Sequence, residues 1–174
     1  MWRKYPLQRG GNMERYFSEI RAAVDGRLWT LAVMGVLAIP DICGALGSPD
    51  GRATGARFRN WVTSNLGERY PELDADEIYQ MRCSMLHQGI TATRSYTRTI
   101  FVVPDGRGNV MHNNIVDDAY QLDLVTFASD VINAAETWLA THSNDDAVRA
   151  NLERTVRYYP TGLPPYIGGM GLVT

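Results

Sequence analysis

The sequence predicts an all-α bundle of four to five main helices with one small β-hairpin inserted after the middle helix. Three observations carry that expectation. Apolar residues recur at three- and four-residue spacing over most of the chain. Residues 74–89, DADEIYQMRCSMLHQG, have the marks of a whole helix: Asp74 and Glu77 at capping-box spacing, Ile78, Met81 and Met85 on one face, and Gly89 where a left-handed cap belongs. Only around 98–115 does the pattern turn from helical to alternating.

A chain of 174 residues with 45% hydrophobic content can bury one real core, so a single domain over 13–159 is expected. A net charge of −2 and a pI of about 5.9 exclude a surface that is a polyanion-binding field as a whole, and leave room for a local arginine cluster. Cys43 and Cys83 are too few for a disulfide framework; they point to a reducing compartment and a cytoplasmic protein. The longest apolar run, 28–39, falls short of the ~20 residues of a spanning helix, so it reads as a core helix with no membrane partner.

Taken in order, residues 1–12 are basic, glycine-ended and without periodicity, and read as a flexible leader. Met13, Phe17, Ile20, Val24, Leu28 and Leu31 predict one long helix, kinked at Asp25–Gly26, whose second half is apolar nearly all round. Pro40 stops it, and Asp41 reads as the cap of a short helix through Leu46. Residues 47–55 form a loop, and 57–66 a helix that buries Phe58, Trp61, Val62 and Leu66. After the helix ending at Gln88, a strand over 99–103, a turn holding Asp105–Gly106 and a second strand over 110–115 make the hairpin. Asp117 and Asp118 form a solvated turn, and Asp123 caps a long helix with Ala128, Val131, Ile132, Ala135, Trp138 and Leu139 inward. Ser143 or Asn144 caps the next, with Val148, Leu152 and Val156 inward and Arg154 and Arg157 near its end. The tail, 160–174, is rich in proline and glycine yet apolar, and is expected to pack on the body or on a partner chain.

Arg82 and His87 are the residues with chemistry to offer. A guanidinium presents a fixed fork of donors to a phosphate, and an imidazole takes and gives protons near neutral pH. His87 stands in the last turn of its helix, where a positive charge is favoured. Five residues of helix is a rotation of roughly 140°, so the two side chains are expected to point apart within one chain and to meet only across a two-fold axis. The simpler reading pairs Arg82 with a carboxylate such as Asp41 or Asp76 and makes His87 a helix cap.

The stretch Arg82-Cys83-Ser84-Met85-Leu86-His87, an arginine and a histidine with four residues between them on a bundle helix, resembles the motif of the HEPN superfamily. Residues 13–174, with a hairpin after the motif helix and GLPPYIGG at 162–169, resemble uncharacterised bacterial HEPN-like proteins. Active members commonly carry a polar residue after the arginine; this chain has Cys83. The resemblance implies a homodimer with both motif copies in one cleft. It further implies a metal-independent endoribonuclease of the toxin or phage-defence type, needing no cofactor, with Arg82 and His87 catalytic and RNA as substrate. An antitoxin or another protein is a candidate partner. The competing class is a catalytically silent module that binds a nucleotide, RNA or a protein.

Arg94, Arg98 and Arg107, with Tyr96 between two of them, read either as an RNA-facing patch or, more commonly for such a pattern, as the solvated face of the hairpin. Ser84 joins Arg94 and Arg98 as a substrate-binding candidate rather than a nucleophile, because no second histidine stands at a predictable place beside it. His87, His112 and His142 show no ligand spacing, so no metal site is expected.

Overall fold

The computed structural model describes residues 12–106, 108 and 110–174. The predicted leader, apart from Asn12, and Arg107 therefore lie outside the described residues. The helices are α1 (Asn12–Asp25), α2 (Trp29–Leu46), α3 (Gly55–Leu66), α4 (Ala75–Gln88), α5 (Leu124–Thr141) and α6 (Asp146–Leu152). Between and after them run β1 (Arg98–Val102), β2 (Asn114–Val116), β3 (Ala119–Asp123), β4 (Tyr158–Tyr159), β5 (Gly162–Leu163), β6 (Ile167–Gly168) and β7 (Leu172–Val173). The expected all-α bundle of four to five helices is thus corrected to a mixed α/β fold, 52% helix and 13% strand in three small sheets.

Two features of the long first helix are also corrected. The chain breaks after Asp25, where Arg27 takes a left-handed φ of +58°, so α1 and α2 are separate helices. Pro40 does not stop α2, which runs on to Leu46. A proline inside a helix removes one ladder hydrogen bond. Here the neighbouring turns are fixed by burial of Val36, Leu37, Ile39 and Cys43. With 18 residues, α2 is long and apolar enough to cross a membrane, yet it packs against α1, α3, α4, α5 and α6, and its apolar residues supply the middle of the core. Asp41 is accordingly a mid-helix residue and not a cap.

The hairpin expected between 99–103 and 110–115 is replaced by another arrangement. β3 is the central strand, parallel to β1 and antiparallel to β2. The tight turn lies at Asp117–Asp118, with Asp117 at φ +53°, a conformation that Asp tolerates better than most residues. β3 escapes an alternation test because Ala119, Tyr120, Leu122 and Asp123 are all buried. It leads straight into α5, whose first turn Asp123 caps by accepting from the Thr126 amide. The sheet is tied to the bundle through Tyr120, which donates to Asn113 Oδ1 while Asn113 Nδ2 donates to the Arg69 carbonyl; the adjacent Tyr70, outside the sheet, donates its hydroxyl to Asp130 of α5.

The link from α4 to the sheet depends on one buried carboxylate. Glu77 accepts from the Arg94 and Ser95 amides and the Ser95 hydroxyl, at 3.1, 3.2 and 2.7 Å. Burial pushes its carboxyl up, but these bonds and one from Thr93 outweigh it and hold the group below its ordinary 4.5. A carboxylate so depressed stabilises the fold above the unfolded-state value and loses that contribution as the pH falls through the folded one. Glu77→Gln is therefore expected to lower stability at neutral pH by about 1–3 kcal/mol and to flatten the acid side of a melting-temperature profile. Parallel acid limbs in the two proteins would contradict it.

α6 is shorter than expected: it starts after Asp145, which makes no side-chain cap bond, and ends at Leu152, before Arg154 and Arg157. Val148 is buried, whereas Val156 is exposed. The tail pairs with itself, β4 with β7 and β5 with β6, and Arg157 exchanges backbone bonds with Thr174. Gly162 sits at φ +97°, and a Cβ there would lie 2.4 Å from the Ile167 carbonyl oxygen. Gly162→Ala is expected to open the β5–β6 pair, costing about 1–3 kcal/mol locally. Faster amide exchange at Gly169, whose N–H bonds the Thr161 carbonyl, with an unchanged global melting point, is the expected readout.

Candidate functional site on helix α4

α4 begins and ends where its sequence places it. Asp74 accepts from the Glu77 amide at 2.9 Å, and Gly89 takes φ +73° with its amide returning to Met85. Ile78, Met81 and Met85 face the core. Asp76, Tyr79, Cys83 and His87, spaced i, i+3, i+7, i+11, therefore share another face. That face is built up by α3 and α2. Arg59 of α3 bonds Asp76 at 2.5 Å and lies over the Tyr79 ring at 4.1 Å. Phe58 meets the same ring edge-on. From α2, Asp41 reaches Arg82.

Arg82 is the hub of the cluster. Its Nε donates to Asp41 Oδ2 at 2.5 Å, its Nη1 lies 3.8 Å from Cys83 Sγ, and the same Nη1 lies 3.4 Å from His87 Nε2. The neighbouring Cys83 thiol raises the Tyr79 hydroxyl above its ordinary value. One reading of the sequence holds here and one is corrected. Arg82 does pair with Asp41, and Asp76 is taken by Arg59 instead. The expectation that Arg82 and His87 point apart within one chain is corrected, because the long arginine side chain swings along the helix and closes the angular gap.

Burial is uneven across the cluster. The side chains of Arg82 and Asp41 are 21% and 13% exposed, while His87 is exposed. Burial pushes the Asp41 carboxyl above its ordinary value against the pull of Arg82. Arg82 also loses hydration, but Asp41 and Cys83 more than restore it and hold the guanidinium firmly charged. The pair is thus a positioning device more than a source of stability. A guanidinium only donates, so in this contact His87 Nε2 is the accepting nitrogen. The arrangement offers an anchored cation beside an accessible imidazole, which suits an anion that must also exchange a proton.

The other sequence candidates lie elsewhere. Arg94 has its Nε 3.6 Å from Glu77 at the first turns of α4. Ten residues of helix separate Glu77 from His87, about 15 Å along the axis. Arg98 is an exposed residue at the start of β1, opposite Ala119. Ser84 lies on α4 and is half-buried. His112 packs edge-on against Tyr70, and His142 stacks on Trp138 and faces its carbonyl, so the three histidines occupy separate places. Among the described residues, no group of three His, Cys, Asp or Glu side chains is placed to hold a metal ion. Sequence reasoning missed Arg59 and Tyr79, which brace the site; an aromatic and an acid three residues apart on α4 are too common a pattern to have flagged them.

No protein-family model matches the chain, and no curated protein and no solved structure matches it either.

Proposed function

We propose that the protein is a metal-independent endoribonuclease of HEPN-like type, in which Arg82 binds the scissile phosphate and His87 moves the proton. The observation that carries the reading is the 3.4 Å approach of Arg82 Nη1 to His87 Nε2, with the guanidinium held from behind by Asp41. A phosphate oxygen entering between them accepts from Arg82, and the charge that builds on it is met by a cation already in place. His87 Nε2 then takes the proton of the ribose 2′-hydroxyl. The 2′-oxygen attacks phosphorus, the bond to the 5′-oxygen breaks, and that oxygen must gain a proton. Products are a 2′,3′-cyclic phosphate and a 5′-hydroxyl.

One chain brings one imidazole to the site, whereas concerted cleavage uses a base and an acid. A homodimer with two α4 clefts face to face supplies both. Leu86 and Ile90 beside His87 are partly exposed, Ile90 to 48%, and offer an apolar edge for that contact. A second reading has its own support: Arg82 is already charge-paired and only 21% exposed, which suits a silent module that binds RNA or a nucleotide without cutting it.

The experiment is cleavage of mixed RNA by the purified protein in EDTA, run beside a sedimentation measurement of mass. The nuclease reading expects cleavage and about twice the 19.4 kDa chain mass. RNA binding without cleavage selects the silent module.

A further inference from the structure

Next to the Arg82 cluster, between the last turns of α2 and the end of α6, lies a cavity of about 370 Å³. Ile42, Ala45 and Leu46 give it an apolar wall, and Asp41, Asn151, Arg154 and Thr155 give it polar groups. Thr155 is committed: its hydroxyl donates to the Leu152 carbonyl and accepts from Asn12. Asn151 spends its Nδ2 on the Ala45, Leu46 and Ser48 carbonyls and keeps Oδ1, and two charged groups keep capacity as well. Arg154 is exposed and makes no ion pair among the described residues. Asp41 uses Oδ2 for Arg82, and its Oδ1 has no hydrogen-bond partner among the described residues.

An apolar wall, a carboxylate edge and a free cation in a space of this size match one ligand class well. Small-molecule sites commonly measure ~300–1,000 Å³. A nucleotide has a flat apolar face, an edge of N–H donors and an anionic phosphate. We propose that this cavity is a nucleotide subsite: the base lies on Ile42, Ala45 and Leu46, its N–H edge meets Asp41, and its phosphate meets Arg154. Guanine fits the carboxylate best, because its N1–H and amino group stand side by side and can meet Oδ1 and the lone pair that Oδ2 keeps beside its bond to Arg82, whereas adenine, cytosine and uracil each offer a poorer edge. Asp41 touches both the cavity and Arg82, so the seated nucleotide flanks the phosphate held by Arg82; this last step rests on the nuclease reading. The base in the cavity then sets the cleavage preference, and Asp41 acts as a positioning residue for the arginine.

The test is calorimetric titration of the full chain with 5′-GMP, 5′-AMP, 5′-CMP, 5′-UMP, guanosine and inorganic phosphate. Binding of GMP is expected to be tightest, and about tenfold or more weaker in Arg154→Ala, as for a lost charge-assisted contact. Guanosine loses a similar factor in the wild type, and Asp41→Asn erases the preference for guanine. Arg154 is exposed, so its variant reports binding and not folding. Nucleotides binding no better than inorganic phosphate, or GMP affinity unmoved by Arg154→Ala, would overturn the proposal. No RNA is cut in this measurement, so its outcome is independent of the nuclease assay. Nucleotide binding without RNA cleavage keeps the subsite and removes the nuclease; cleavage without nucleotide binding does the reverse.

Discussion

His87→Ala is expected to reduce RNA cleavage by about 10²–10⁴-fold, the usual worth of a positioned proton-transfer group. The fold is expected to be indifferent to the change. His87 is exposed, and its side-chain contact among the described residues is the approach to Arg82 Nη1. Surface substitutions of that kind stay within about ±0.5 kcal/mol. Activity lost together with a lowered melting temperature would mean that His87 is a helix-end cap whose removal loosens α4, and the catalytic assignment would fall.

Arg82→Ala is expected to act on both activity and stability. Removing a charge-stabilising donor lowers cleavage by about 10²–10³-fold. It also leaves the Asp41 carboxylate, 13% exposed, without its cation, which costs about 1–3 kcal/mol. The sign with pH follows from the direction of the Asp41 shift. Burial already raises that carboxyl, and without Arg82 it rises further. A group raised in the folded state binds its proton more readily there, so the deficit of the variant shrinks as the pH falls and the carboxyl protonates. Combining Arg82→Ala with Asp41→Asn is expected to recover most of the stability and none of the cleavage. Arg82→Lys keeps the charge but lacks the fork that serves Asp41 through Nε and His87 through Nη1 together, so its activity is expected to resemble Arg82→Ala. Wild-type cleavage in Arg82→Lys would show that only the charge matters.

Local signals were legible in the sequence where one residue decides one feature. Asp74, Gly89 and Asp123 set the ends of α4 and the start of α5 through bonds to their own neighbours. The fold class was not legible, because β3 is covered on both faces and shows neither alternation nor length, and because β1 and β3 pair in parallel across a long separation. Pro40 misled for a related reason: the burial that holds α2 straight through it comes from five other helices, and no window of sequence contains them. In the site, Arg82 and His87 stood out from their spacing alone. Their meeting within one chain depends on the reach of a flexible side chain anchored by Asp41, 41 residues away. Arg154 reads in the sequence as a helix-end charge, since the cavity it borders is closed by two segments far apart in the chain, around Asp41–Leu46 and Asn151–Thr155.

The most direct test of the account is the chemistry of the cut ends. RNA incubated with the protein in EDTA is expected to yield 2′,3′-cyclic phosphate and 5′-hydroxyl termini, and neither His87→Ala nor Arg82→Ala is expected to yield them above background. Termini of the other kind, 3′-hydroxyl and 5′-phosphate, or the same cyclic ends at undiminished rate from both variants, would contradict it.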